Sequence, residues 1–253
     1  MLMATFMVSM MTLFSEEQFL SWGWRIPFVL SSVLVLLGLW IRRDIDETPE
    51  FREVKRSGQE SKAPLRDTLK YHWREVLIAA GLKVVETAPF YIFSTFVVSY
   101  ATNTLSYERA QALESVTLGA LVATLMIPLM GLLSDKVGRK RMYATGVVLI
   151  GLFIVPWFTL LDTGTTWGIM LATVIAFGVL WAPVTAVLGT LCSEIFHANV
   201  RYTGITLGYQ IGAALAGGTA PLIATGLLAS SGGDWTPVAW YMSVTVMISL
   251  IAI

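Results

Sequence analysis

The sequence predicts an all-α membrane protein, and three observations carry that prediction. Apolar stretches of roughly membrane-crossing length recur along the whole chain, about 20 residues being needed to span a bilayer as a helix. Charge is confined almost entirely to the gaps between them. The composition is 55% hydrophobic and 13% charged over 253 residues, with a mean hydropathy of +0.69, whereas a soluble domain carries about 25% charged residues.

Taken in order, residues 1–14 are apolar but too short to span and read as the end of a helix. Residues 25–41 form the first full span. Residues 42–75 then hold nine basic and eight acidic residues, too polar to enter a bilayer, and are expected to form short amphipathic helices at the membrane surface. Six further spans follow at 76–100, 112–133, 142–161, 167–191, 203–229 and 237–253. The first apolar run has neither a basic leader nor a small-residue cleavage site, so it does not read as a signal peptide. The expectation is a fragment with about seven full transmembrane helices plus a partial N-terminal one.

Lys and Arg in short loops set the orientation of such a chain. The loop 134–141 carries four basic residues; 162–166 and 230–236 carry none, and 101–111 has only Arg109. Alternate crossings put 42–75, 134–141 and 192–202 on one side, which is therefore expected to be the cytoplasm, with the chain in the plasma (inner) membrane. Lys+Arg and Asp+Glu both number 17, and no basic-aromatic interleaving points to nucleic acid. Ser, His and acidic residues do not cluster as a catalytic set, so no enzyme is expected. Cys192 is the single cysteine, and His72 and His197 lie far apart in sequence, so no metal site or cofactor is expected. No G-x-x-x-x-G-K-[ST] loop is present to support ATP-driven transport.

The most specific stretch is Gly131-Leu132-Leu133-Ser134-Asp135-Lys136-Val137-Gly138-Arg139-Lys140-Arg141. It resembles the short cytoplasmic loop signature of the major facilitator superfamily. Three more stretches narrow the resemblance: Trp22-Gly23-Trp24-Arg25-Ile26-Pro27-Phe28, Glu47-Thr48-Pro49-Glu50-Phe51, and Ser193-Glu194-Ile195-Phe196 with Val200-Arg201-Tyr202-Thr203-Gly204. Together they look like the metabolite:proton symporters of that superfamily, which carry shikimate, 2-oxoglutarate, citrate or proline/betaine. The resemblance implies two six-helix halves around a midplane site. Residues 1–41 would then close the first half, 42–75 link the halves, and 76–253 form the second. It also implies a secondary active transporter, working by alternating access on a small organic acid or zwitterion, usually as a monomer. With the first helices missing, residues 1–253 alone are expected not to transport. The competing readings are a non-transporting remnant of a truncated gene and a transporter-like sensor. The sequence does not identify the substrate.

Within this frame, Lys83 and Glu86 are the only ionisable residues well inside a span. Each costs about 2.5–3.5 kcal/mol at a helix centre on insertion scales, and their spacing of three puts them on one helix face. They are the candidate substrate and proton-coupling residues, with Phe90, Tyr91, Trp181, Thr185 and Gln210 as candidate cavity lining. A neutralised pair that merely positions its helix is the alternative, and a helix–helix hydrogen bond is the alternative for Gln210. Asp135, Arg139, Glu194 and Arg201, with Gly131 and Gly138 allowing close approach, form a candidate cytoplasmic gate; plain topology-setting charge is the alternative there. Gly204, Gly208, Gly212 and Ala216, and likewise Gly178, Ala182, Ala186 and Thr190, repeat every four residues as membrane packing stripes do. Pro89, Pro128, Pro156 and Pro183 fall within spans and are expected to kink them.

Overall fold

The computed structural model describes residues 18, 21–44, 52, 56 and 64–253. Partial helix 1–14, the stretch Glu47–Phe51 and half of 42–75 lie outside the described residues. The chain divides into two compact units, 1–58 and 59–253.

In the first unit a single tight turn, Gly23–Arg25, opens helix α1, Ile26–Asp44. The turn is tied down locally. The Arg25 guanidinium lies 4.5 Å from the centre of the Trp24 ring and donates to the Ser21 carbonyl at 2.5 Å. Arg42 and Arg43, expected in the following loop, are instead the last turn of α1, where cations meet unpaired carbonyls favourably.

The second unit is an antiparallel helical bundle. A short helix α2, Pro64–Tyr71, leads into α3 (Trp73–Asn103), α4 (Arg109–Val137), α5 (Arg139–Leu161), α6 (Thr166–Ile195), α7 (Arg201–Ser230) and α8 (Thr236–Ala252). Among the described residues six helices, α1 included, are long and apolar enough to cross a membrane, and α8, expected as a span, is a shorter apolar helix of 17 residues. The described structure is all-α, and the chain is a multi-pass membrane protein. Local chemistry sets the helix starts. Glu108 and Gln111 close a reciprocal capping box on α4, and the Thr165 hydroxyl accepts from Gly168 N–H at 3.0 Å at the start of α6. Between α4 and α5 the chain reverses through Gly138 at φ +97°, a backbone conformation side chains disfavour.

Three spans are not uniform α-helices. Ile92–Phe96 in α3 and Val174–Leu180 in α6 are π segments: Val97 N–H reaches back five residues to Ile92 O, and Trp181 N–H to Ala176 O at 3.1 Å. Pro89 lies one turn before the first and Pro183 just after the second. Proline removes an N–H from the ladder and excludes the regular turn before it. α7 is interrupted at Gly217–Thr219 between Arg201–Ala216 and Ala220–Ser230.

α3 is the centre of this unit, packed by α7 on one side and α8 on another. The α7 stripe explains the first contact: Gly204, Gly208, Gly212 and Ala216 are all buried. A Cβ at Gly208 would stand 2.5 Å from Ala79 Cβ, and one at Gly212 2.5 Å from the Ala80 carbonyl oxygen. In α6 only Gly178 and Ala182 of the second stripe are fully buried, while Ala186 is intermediate and Thr190 exposed.

Candidate functional site

Lys83 and Glu86 face each other one turn apart on α3 and form a direct ion pair, their side chains only 18% and 14% exposed. The pair is not isolated. The Thr87 hydroxyl, which also donates to the Lys83 carbonyl at 2.9 Å, lies 3.0 Å from Glu86 Oε2. Across the helix interface, Thr185 of α6 donates its hydroxyl to Glu86 Oε1 at 2.8 Å, and the Trp181 indole donates to the Glu86 carbonyl at 2.7 Å. The Lys83 ammonium sits 4.9 Å from the centre of the Tyr209 ring of α7, a cation–π distance. One carboxylate and one ammonium thus tie three helices together inside an apolar bundle.

Beyond Glu86, Phe90 packs its ring 5.2 Å from Trp181 and 5.6 Å from Phe177. This aromatic layer lies beside the π segment of α6. Tyr91 touches Phe90 at 5.3 Å but also packs against the Ala88, Ala216 and Ala220 cluster between α3 and α7. Gln210 is exposed on α7 and is not part of the cluster. Sequence reasoning did not single out Thr87 and Tyr209. Thr87 had a signal, being next to Glu86; Tyr209 had only its place beside Gly208.

The turn carrying the pair is buttressed from behind. Tyr143 of α5 donates to the Leu82 carbonyl at 2.5 Å. Ser249 of α8 donates to the Gly81 carbonyl at 2.6 Å and accepts from Val85 N–H at 3.1 Å.

At one end of the bundle, Arg139 at the start of α5 pairs with Glu194 at the end of α6 and lies 3.9 Å from Asp135. These side chains are 36%, 55% and 64% exposed, respectively. They line an open depression of about 900 Å³ with Gly138, Lys140 and Arg141. Arg201 donates to the Phe196 carbonyl at 3.3 Å, bracing the α6–α7 loop. Gly131 needs no close approach among the described residues, since nothing lies within 4 Å of a Cβ placed there. His72 and His197, remote in sequence, meet here with ring centres 6.0 Å apart.

The opposite end is clasped by Asp162. Its carboxylate accepts from Tyr100 OH at 3.1 Å and from the Trp235 indole at 2.8 Å, joining the ends of α3, α5 and the α7–α8 loop. Tyr107 adds bonds to the carbonyls of Leu161 (2.9 Å) and Thr165 (3.2 Å); burial pushes its hydroxyl above the usual tyrosine range. Among the described residues no group of three His, Cys, Asp or Glu side chains is placed to hold a metal ion.

The described residues form a multi-pass bundle with a charged, hydroxyl-bearing cluster among its helices, and comparison with known proteins gives its family. The family described as the Major Facilitator Superfamily matches residues 1–217 and, in a second overlapping match, 84–253. The chain belongs to the major facilitator superfamily. It is 33% identical over 245 residues to the shikimate transporter of Escherichia coli K12, covering 96% of this chain and 56% of that protein. It is 32% identical over 235 residues to the alpha-ketoglutarate permease of the same strain, covering 91% and 52%. To the glycine betaine/proline/ectoine/pipecolic acid transporter OusA of Dickeya dadantii it is 30% identical over 250 residues, covering 95% and 49%. The chain therefore spans about half the length of the curated relatives it matches. No solved structure matches it.

Proposed function

We propose that this chain is part of a proton-coupled symporter for a small organic anion or zwitterion, with Lys83 and Glu86 as its coupling pair. The observation that carries the reading is an ion pair within an apolar span, held by Thr87, Thr185 and Trp181 and flanked by Tyr209. Charges are expensive at membrane depth and are retained there where substrates or protons pass. With Glu86 ionised, Lys83 is occupied. When Glu86 takes a proton, the ammonium loses its counter-charge and can receive a substrate carboxylate. Proton and anion would then bind together, which is the requirement for symport. The relatives named for shikimate, alpha-ketoglutarate and betaine set the chemical range to test.

In this reading residues 76–253 form one half of the transporter and 42–75 the link between halves, with the Arg139 end facing the cytoplasm of a plasma-membrane protein. The partly exposed Asp135–Arg139–Glu194 group, with Arg201 beside it, serves as a gate that holds and releases. The complete transporter would work as a monomer, with no nucleic-acid partner, no cofactor and no enzymatic step.

The experiment is uptake of shikimate, 2-oxoglutarate and glycine betaine into proteoliposomes under an imposed proton gradient, using the complete transporter that carries this chain. Glu86→Gln should abolish proton-driven accumulation while leaving membrane insertion intact. Accumulation by Glu86→Gln at the wild-type rate would overturn the coupling role, and failure of the wild type with all three solutes would overturn the substrate class.

A further inference from the structure

Between the outer ends of α3 and α4, at the end opposite Arg139, lies a cleft of about 430 Å³. Thr95, Ser99, Thr102 and Asn103 of α3 line one wall, and Arg109 of α4 stands at its rim. Arg109 makes no ion pair or hydrogen bond among the described residues. The nearby acids are not in the cleft lining. Glu108 is used in the capping box of α4, Asp162 holds Tyr100 and Trp235, and Asp234 holds Thr236. A guanidinium with no ion-pair partner among the described residues, beside the Thr95 and Ser99 hydroxyls and with no acid in the wall, suits a carboxylate-bearing solute: a charge-assisted bond from Arg and neutral donors for the remaining oxygens, Thr102 already donating to the Val98 carbonyl.

The π segment of α3 gives this cleft a direction. Residues advance about 100° each around an α-helix. On an uninterrupted helix, Ser99 and Thr102 would point about 140° away from the mean direction of Lys83, Glu86, Thr87 and Phe90. A π turn inserts one extra residue and rotates everything after it back by about 100°, leaving a difference of about 40°. The segment Ile92–Phe96 therefore swings the hydroxyl row onto the face of α3 that carries the charged pair.

We infer that the Arg109 cleft is a separate outer binding site that recruits the carboxylate of an organic anion and passes it along the Thr102–Ser99–Thr95 row toward Lys83. The anionic substrate class rests on the reading of Lys83 and Glu86, but the cleft itself is tested without transport. Cys192 is fully buried, so an introduced thiol at exposed Thr95 reports alone. The chain, in nanodiscs at low salt, carries Thr95→Cys and is labelled with a sulfonate-bearing and with a trimethylammonium-bearing methanethiosulfonate. Adding Arg109→Gln should lower the anionic-to-cationic rate ratio about threefold or more, because focusing by one unpaired charge in a cleft acts on like-sized reagents in opposite senses. The same ratio at Trp167→Cys, exposed on α6, should not move. Millimolar 2-oxoglutarate should slow Thr95→Cys labelling when Arg109 is present, and still do so with Lys83→Gln. An unchanged ratio on removing Arg109 overturns the site. Protection that survives loss of Arg109 but vanishes with Lys83→Gln also overturns it, by assigning binding to the central pair alone.

Discussion

The molecule contains two ion pairs of similar chemistry in contrasting surroundings. Lys83–Glu86 lies within a span, less than a fifth exposed, with hydroxyl and indole donors from neighbouring turns and helices. Arg139–Glu194 lies at the bundle end, about one-third to one-half exposed, joined among the described residues by Asp135 at the edge of contact distance. A buried pair holds because breaking it strands a charge, typically about 3–5 kcal/mol when one partner is lost. An exposed pair holds weakly, about 0.2–1 kcal/mol, because water can replace either partner. The first suits a switch thrown by a proton, and the second suits a contact that must let go in every cycle.

The largest effect should come from unpairing the buried site. Lys83→Gln and Glu86→Gln should each lower thermal stability in detergent by a few kcal/mol, and the double variant should recover much of that loss. Additive losses would make the two pairs alike and remove the contrast. Next, Thr185→Val deletes the α6 donor to Glu86 Oε1; a loss of about 1.5–3 kcal/mol is expected for a bond to a charged group, read by the same melts. Smaller again is the exposed pair: a double-mutant cycle on Arg139→Gln and Glu194→Gln should give a coupling of about 0.2–1 kcal/mol, and it should fade in high salt. A coupling as large as that of the buried pair would mean that this end is a lock and not a latch.

The smallest effect concerns Asp234. Bonds from the backbone N–H (2.9 Å) and hydroxyl (2.7 Å) of Thr236 hold its carboxyl below the usual carboxylate range. A depressed folded-state pKa means that the unfolded chain binds the proton first. The contribution is therefore present above the ordinary Asp pKa of about 3.9 and lost as pH falls through the folded value. Thr236→Ala removes the hydroxyl bond but keeps the backbone one, so it should lower neutral melts slightly, shrink the acid-side slope between pH 5 and 3, and converge with the wild type at the acid end.

Much of the fold was legible because membrane helices announce themselves by length and charge exclusion. The span read at 142–161 is Arg139–Leu161, and that read at 112–133 is Arg109–Val137. The excess, three residues at the start of α5 and three at the start and four at the end of α4, is polar helix that hydropathy alone cannot claim. The π segments were not legible, because one extra residue leaves composition unchanged and only shifts phase; Pro89 and Pro183 hinted at irregularity without giving its form. Lys83 and Glu86 stood out because charge inside a span is rare. Thr185 and Tyr209 became partners through helix crossings that follow from the glycine stripe of α7 and the break in α6. His72 with His197, and Asp162 with Trp235, join distant segments in the same way, and no local pattern marks them.

The Ser249 hydroxyl stands between the Gly81 carbonyl and Val85 N–H, the two groups that close a turn in an undisturbed helix. A neighbouring helix has thus become a rung in the ladder of α3, just beneath the charged pair. The turn bearing Lys83 and Glu86 is stitched to α8, so tilting one without the other would tear two hydrogen bonds in a solvent-free seam. This helix, which carries no acidic or basic side chain of its own, therefore acts as a keel: whatever motion the charged turn makes, α8 travels with it.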